Sequence, residues 1–207
     1  MGSGAVKLLE QNRELIEQKA GARIVIKRIA VRDIGKKRAV DVDRSIITTN
    51  PLDVLDDPEI QIVCELIGGV SPAREYVKRA LRNGKHIVSA NKELIAKEGH
   101  AIIEEAERLG LDFQFEGAVG GGIPIIQPMR NALAGNNVLE LMGIVNGTTN
   151  YILTRMMLEG ADFQDVLREA QALGYAEADP TSDVGGFDAQ YKLAILSSIA
   201  FNSRVPV

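Results

Sequence analysis

The sequence has one cysteine, two histidines, no excess of positive charge and no long apolar run. A single cysteine, Cys64, excludes an intrachain disulfide. It lies in the apolar stretch 60–67, where a buried thiol is the plainer expectation. A catalytic thiol is the alternative, and no histidine lies close in sequence to activate it. The histidines, His86 and His100, are too far apart and too poorly flanked to form a metal pair, so both are read as structural. Lys plus Arg number 24 against 28 Asp plus Glu, a net charge of −4, which argues against a dedicated nucleic-acid partner. No run of 18 apolar residues exists and no charged-then-apolar leader opens the chain, so no membrane partner is expected. A cytoplasmic protein fits these absences.

What is present is an ordinary globular composition, 45% hydrophobic and 25% charged over 207 residues, enough to bury a core in one or two domains. Residues 5–20 carry apolar side chains near helical spacing, with Gly21 as the stop. The stretches 23–31, 60–67, 86–90 and 111–115 read as strands. Between them, 72–83 reads as a helix with Ser71 as N-cap and Pro72 in its first turn. A further helix over 92–109 is closed by Gly110. Strands alternating with helices predict βαβ units and a mostly parallel sheet.

The pattern then changes. Residues 116–124 form a glycine-dense loop leading into a helix near Pro124, and 137–145 reads as a strand. Helices are predicted over 150–158, 162–173 and 186–201. The chain is therefore divided into residues 1–116 and an α+β unit over 117–207, with no internal repeat and no low-complexity tract.

Four constellations can carry chemistry. Asp188 and Lys192 are four residues apart, on one face of a helix that continues into apolar sequence. They form either a structural ion pair or a lysine that protonates a carbonyl oxygen, tuned by its aspartate. Lys92 follows a strand end, at the edge of a parallel sheet where ligands bind; a solvated surface lysine is the alternative. The turn 146–150 (NGTTN) can hold a carboxylate on its main-chain amides, or simply cap a helix. The loop 116–123 can turn carbonyls toward a cation, or act as a hinge. The basic run 36–38 is plainly read as a solvated loop, but it follows Arg32, which tilts cofactor choice toward NADP, although Asp33 beside it keeps NAD open.

Together these segments resemble homoserine dehydrogenases over nearly the whole chain. The most specific stretches are SANKELIA at 89–96, EGAVGGGIPII at 116–126, NGTTNYIL at 146–153 and GYAEADPTSDVGGFDAQYKLAIL at 174–196. The resemblance implies an α/β protein: an incomplete doubly wound Rossmann-type sheet, followed by part of an α+β catalytic and dimerisation domain. It implies interconversion of L-aspartate 4-semialdehyde and L-homoserine with NADP or NAD, in threonine, methionine and isoleucine biosynthesis, by a homodimer acting on a small-molecule substrate. By the same resemblance Lys192 is the proton donor, Asp188 its neighbour in the polar pocket, and Lys92 a contact to cofactor and substrate. Glu177, Asp183, Tyr175, Gly147 and Thr148 line the substrate pocket. Gly2, the last glycine of a GxGxxG turn, joins Arg32 at the cofactor. A monovalent cation such as sodium is held at Glu116, Val119, Gly121 and Ile123, largely by main-chain oxygens. The family's first strand and earlier glycines have no counterpart in this sequence, nor does the rest of its catalytic domain. Weak NAD(P) binding by this chain alone is therefore expected. An inactive scaffold, or a dehydrogenase for another small amino-acid aldehyde, remains the alternative.

Overall fold

Asn favours turns over helix interiors because its side chain competes for nearby main-chain groups, and this divides the first predicted helix in two. In a computed structural model describing residues 1–207, α1 spans Gly2–Gln11 and α2 spans Arg13–Ala20, with Asn12 between them at φ −109°. Gly21 ends α2 in the left-handed region at φ 67°, donating to the Glu17 carbonyl. The chain separates into two compact units. The first comprises 1–67, 71–89 and 102–114; the second comprises 68–70, 90–101 and 115–207.

The first unit holds two parallel sheets. The strand predicted over 23–31 shortens to β1, Ile29–Ala30, because Val25 and its neighbours have no strand to pair with. Its partner is β2, Ile47–Thr48, which sequence patterning did not reveal, nor the short α3, Leu52–Leu55. The second sheet runs β3–β4–β5 (Ile62–Glu65, His86–Ser89, Phe113–Gln114), with Glu65 opposite Ser89 and Ile87 opposite Phe113. Side chains alternate across the pleat. Val63, Ile87 and Phe113 therefore share one face, where the helix α4, Ala73–Arg82, buries Val77, Ala80 and Leu81. Cys64 lies on the opposite face and is exposed, which corrects the expectation of a buried thiol. Partial desolvation still pushes its pKa up, which disfavours the thiolate. Ser71 does not cap α4. Pro72 occupies the N-cap position, and no side chain accepts from the first turn.

Lys85 is the largest fully buried side chain of the molecule, at 1% exposure. Its ammonium donates to the carbonyls of Asp57 at 2.5 Å and Ile60 at 2.8 Å, tying the turn before β3 to the start of β4. The same turn is held from outside by Lys27, paired with Asp57 and Glu59. Arg79 grips Asp56 through two bonds of 2.6 Å.

In the second unit the helix α5, Lys92–Arg108, contributes its first ten residues, the remainder belonging to the first unit. The helix expected from Pro124 is instead a short segment ending in a π-helical turn, Pro128–Ala132. Its entry is held by the Glu116 carboxylate, which accepts from the main-chain N–H of Ile125, Ile126 and Gln127 at 2.6, 2.9 and 2.8 Å. The strand predicted over 137–145 is not formed. Its alternation is real, but it has no ladder partner, and Leu139, Met142 and Ile144 are exposed. Beyond it lie α6 (Gly147–Glu159), α7 (Phe163–Ala172), the short α8 (Thr181–Val184) and α9 (Phe187–Ala200). Asn146 and Asp162 cap α6 and α7 with their side-chain oxygens. Ile152, Val166, Ala170 and Ala176 form the core between those two helices. No helix is long and apolar enough to cross a membrane.

Replacing Lys85 with Met keeps its bulk but removes the donor from two partly buried carbonyls. The expected cost is about 2–3 kcal/mol. It should be read as a lower urea midpoint with an unchanged slope; an unchanged midpoint would show that the ammonium is not needed to close this turn.

Candidate active site

Asp188 stands in the first turn of α9 and is 3% exposed. A buried carboxylate is costly unless charge and hydrogen bonds surround it, and here both do. Lys192, one turn along the same helix, donates to Asp188 Oδ2 at 2.7 Å. Lys92, at the start of α5, approaches Oδ1 at 2.7 Å. Asn146 Nδ2 donates to Oδ2 at 2.8 Å. Burial alone would raise the Asp188 pKa; the bonds from Asn146, Lys192 and Lys92 outweigh it and hold the carboxyl below the usual carboxylate range.

Each partner is positioned by local structure. Asn91 is buried. Its Oδ1 accepts from Leu94 N at 3.1 Å and its amide donates to the Gly69 carbonyl at 2.7 Å, which anchors the helix start that carries Lys92. Lys192 is further held by the Val145 carbonyl at 2.7 Å. Two of its three ammonium hydrogens are thus directed by protein, leaving one uncommitted. Asp183, on α8, accepts from Asn146 Nδ2 at 2.8 Å and lies 2.9 Å from the Thr148 hydroxyl. Thr148 also lies 2.7 Å from the Tyr175 carbonyl, so its single hydrogen serves one acceptor at a time. Gly147 and Thr148 open α6, where the first main-chain N–H groups have no intrahelical partner.

The structure therefore brings Lys92, Asp188, Lys192, Asp183 and Thr148 into one network, with Gly147 and the Tyr175 main chain at its edge. It does not bring Glu177 into that network. Glu177 is exposed, and its recorded bond is through its main-chain carbonyl, to Gln171. The Tyr175 ring is exposed and meets the Tyr151 ring in a tilted contact, centroids 5.1 Å apart. Tyr151 is in turn held by Glu169, which also pairs with Arg155. Gly2 and Arg32 belong to the first unit, where both are exposed, Gly2 opening α1 and Arg32 following β1. Near Arg32, the guanidinium of Arg38 braces its loop by donating to the carbonyls of Asp33, Ile34 and Lys36.

The suggested cation segment fits only in part. The Glu116 carboxylate is spent on three main-chain amides, so only main-chain oxygens of Glu116, Val119, Gly121 and Ile123 could serve a cation. Val119 is buried, whereas Ile123 is 69% exposed. No cluster of three His, Cys, Asp or Glu side chains could hold a metal ion. The sequence marks Asn91, beside Lys92, and Asn146, at the head of the NGTTN turn, as parts of candidate segments, but gives no role to their side chains; each stands directly before a helix start.

Parallel strands joined by helices, with a lysine-flanked carboxylate in an α-rich second unit, define a protein of the dinucleotide-binding α/β class. The family model described as the homoserine dehydrogenase NAD binding domain matches residues 1–116, and the one described as homoserine dehydrogenase matches residues 124–207. The chain belongs to the homoserine dehydrogenase family. It is 45% identical to homoserine dehydrogenase of Bacillus subtilis over 99% of its own length and 47% of the relative's. It is 50% identical to that of Pseudomonas aeruginosa over 97% and 46%. The crystal structure of a homoserine dehydrogenase from Thiobacillus denitrificans superposes with a TM-score of 0.88 at 51% identity, covering 97% of this chain and 46% of that one. A hyperthermophilic archaeal homoserine dehydrogenase in complex with NADPH superposes at 0.70 and 28% identity, over 95% and 56%. The chain spans about half the length of the curated relatives it matches.

The Asp188 folded-state pKa is depressed, so its stabilising contribution is present above the unfolded value of about 4 and is lost as pH falls through the lower folded value. Melting curves of the parent and of Asp188→Asn between about pH 2 and 7 should therefore differ most at neutral pH and converge in acid. A constant gap would place the effect elsewhere.

Proposed function

We propose that this chain carries the chemistry by which L-aspartate 4-semialdehyde and L-homoserine are interconverted with NAD(P)H, through Lys192 acting as the acid. The observation that carries this reading is the Lys192 ammonium, held by Val145 and Asp188 with one hydrogen uncommitted. NAD(P)H, when bound, would supply the hydride that reduces the carbonyl carbon. Negative charge then builds on the carbonyl oxygen, and a directed ammonium stabilises it and delivers the proton. Asp188 keeps that ammonium pointed. Lys92, on the opposite oxygen of Asp188, adds a second positive group for substrate or cofactor.

An amino-acid substrate needs an acidic contact for its ammonium and amide donors for its carboxylate. Asp183 and Glu177 offer the first, with Glu177 turning inward from its exposed position. The opening N–H groups of Gly147 and Thr148 offer the second. Tyr175 and Thr148 shape the pocket between them. The cofactor reading draws on the match to an NAD binding domain and on the exposed Arg32, which favours NADP through the extra phosphate. Gly2 would lie at the pyrophosphate, and a monovalent cation such as sodium would sit on main-chain oxygens of the 116–123 loop. A cytoplasmic homodimer fits the exposed Leu139, Met142 and Ile144 of the second unit, an apolar surface of the kind that association covers.

The test is Lys192→Ala, assayed in this chain and in the chain continued at both ends to the length of its relatives. Turnover of homoserine should fall about 100- to 10,000-fold, the worth of a positioned acid, with NADPH affinity retained by cofactor fluorescence. A near-normal rate would remove Lys192 from the chemistry.

A further inference from the structure

We propose that Asn146 is a positioning residue of this site, whose side-chain amide holds Asp183 and Asp188 apart and aims the Asp188 carboxylate at Lys192. The proposal rests on the oxidoreductase reading above and adds a residue that acts through Asp188 rather than on the substrate.

The observation is a complete hydrogen inventory. Asn146 is 7% exposed. Its Oδ1 accepts from Thr149 N and from the Thr149 hydroxyl, each at 2.8 Å. Its Nδ2 has two hydrogens and meets two carboxylates, Asp183 Oδ1 and Asp188 Oδ2, each at 2.8 Å. The reverse orientation of the amide would set its oxygen against two carboxylate oxygens and its nitrogen against a main-chain N–H, so one orientation alone satisfies the network.

Helix capping accounts for only half of this. The N-cap role uses Oδ1, and Asp, Ser or Thr would fill it comparably. None of those offers two donors at the far end of the side chain. Capping therefore leaves the amide nitrogen unexplained, and the nitrogen is the part that touches the carboxylates. Asp188 and Asp183 are like charges that would otherwise repel within a partly buried site. One neutral group placed between them lets both stay close to the start of α6. The residue before it, Val145, gives its carbonyl to Lys192. Two consecutive residues thus orient the ammonium, one directly and one through Asp188.

The charged and polar groups facing Asp188 are Lys192 on its own helix, Lys92 on α5, Asn146 before α6, and, through Asn146, Asp183 on α8. Asn146→Asp keeps the size and the cap but adds a third carboxylate, which raises the pKa of its neighbours. Asn146→Ser keeps the cap and deletes both donors.

The experiment compares both variants with the parent in the chain continued to the length of its relatives. It reads kcat, KM and the pH profile for homoserine oxidation, the melting temperature, and the Asp188 carboxyl titration by carbon NMR. The expected result is a fall in kcat of about 10- to 100-fold in both, the worth of a hydrogen bond to a charged group, with both variants melting below the parent at neutral pH but folded at the assay temperature. The Asp188 titration should move up in both variants, further in Asn146→Asp, and the acid limb of the rate profile should follow it. Parental kcat in both, or a rise in KM alone, would overturn the proposal and leave Asn146 a helix cap. If Asn146→Ser melts early, the isosteric Asn146→Asp decides by the same readings. If the parent does not oxidise homoserine, the functional reading fails, and the Asp188 titration still decides the role of Asn146: an unshifted midpoint overturns it.

Discussion

A carboxylate buried between two ammonium groups ties three segments of the second unit together. Asp188 draws together the start of α5 through Lys92, its own helix through Lys192, and the start of α6 through Asn146. Apolar contacts between such segments are non-directional and tolerate sliding. Charge-assisted bonds near 2.7 Å do not tolerate it. They also impose an order: the carboxylate cannot lose a partner without leaving a charge in a partly dry site.

The first unit uses the same logic with the sign reversed. Lys85 is a buried cation closed by two carbonyls, and it sets where the turn before β3 meets the start of β4. At the other end of those strands Glu65 is buried, accepting from Ser89 at 2.7 Å and from the main chain of Ile67 at 2.8 Å. Polar groups thus stand at both ends of the β3–β4 pair while its middle packs on apolar helix residues. The carboxyl ends of parallel strands are where such sheets bind ligands, and Glu65 holds the shape of the chain there.

The chemical capacity of the site follows from counting hydrogens. Lysine has three donors and no acceptor. With two donors directed by Val145 and Asp188, Lys192 is oriented like a fixed group, yet it keeps one hydrogen uncommitted. A freely rotating surface lysine has the charge without the direction, and direction is what separates transition-state stabilisation from general attraction. Thr148, with one hydrogen for two acceptors, is the adaptable member of the same network.

Much of this was legible in the residues themselves. The alternation of short β-branched runs with helical stretches determined a parallel α/β class, because period and length distinguish strand from helix locally. The i, i+4 spacing of Asp188 and Lys192 determined that they touch, because helix geometry is local too. What patterning misjudged were the elements that need a distant partner. Residues 23–31 and 137–145 have strand-like sequence, but pairing, which is non-local, was available only at Ile29–Ala30; β2 went unseen for the same reason. Cys64 follows this rule as well: an apolar run does not say which face a helix covers. Tertiary structure alone decided that Lys92, nearly a hundred residues earlier, completes the Asp188 site, that Asn146 links two carboxylates, and that Glu177 stands outside. Such contacts depend on where helices cross in space, and no local periodicity encodes that.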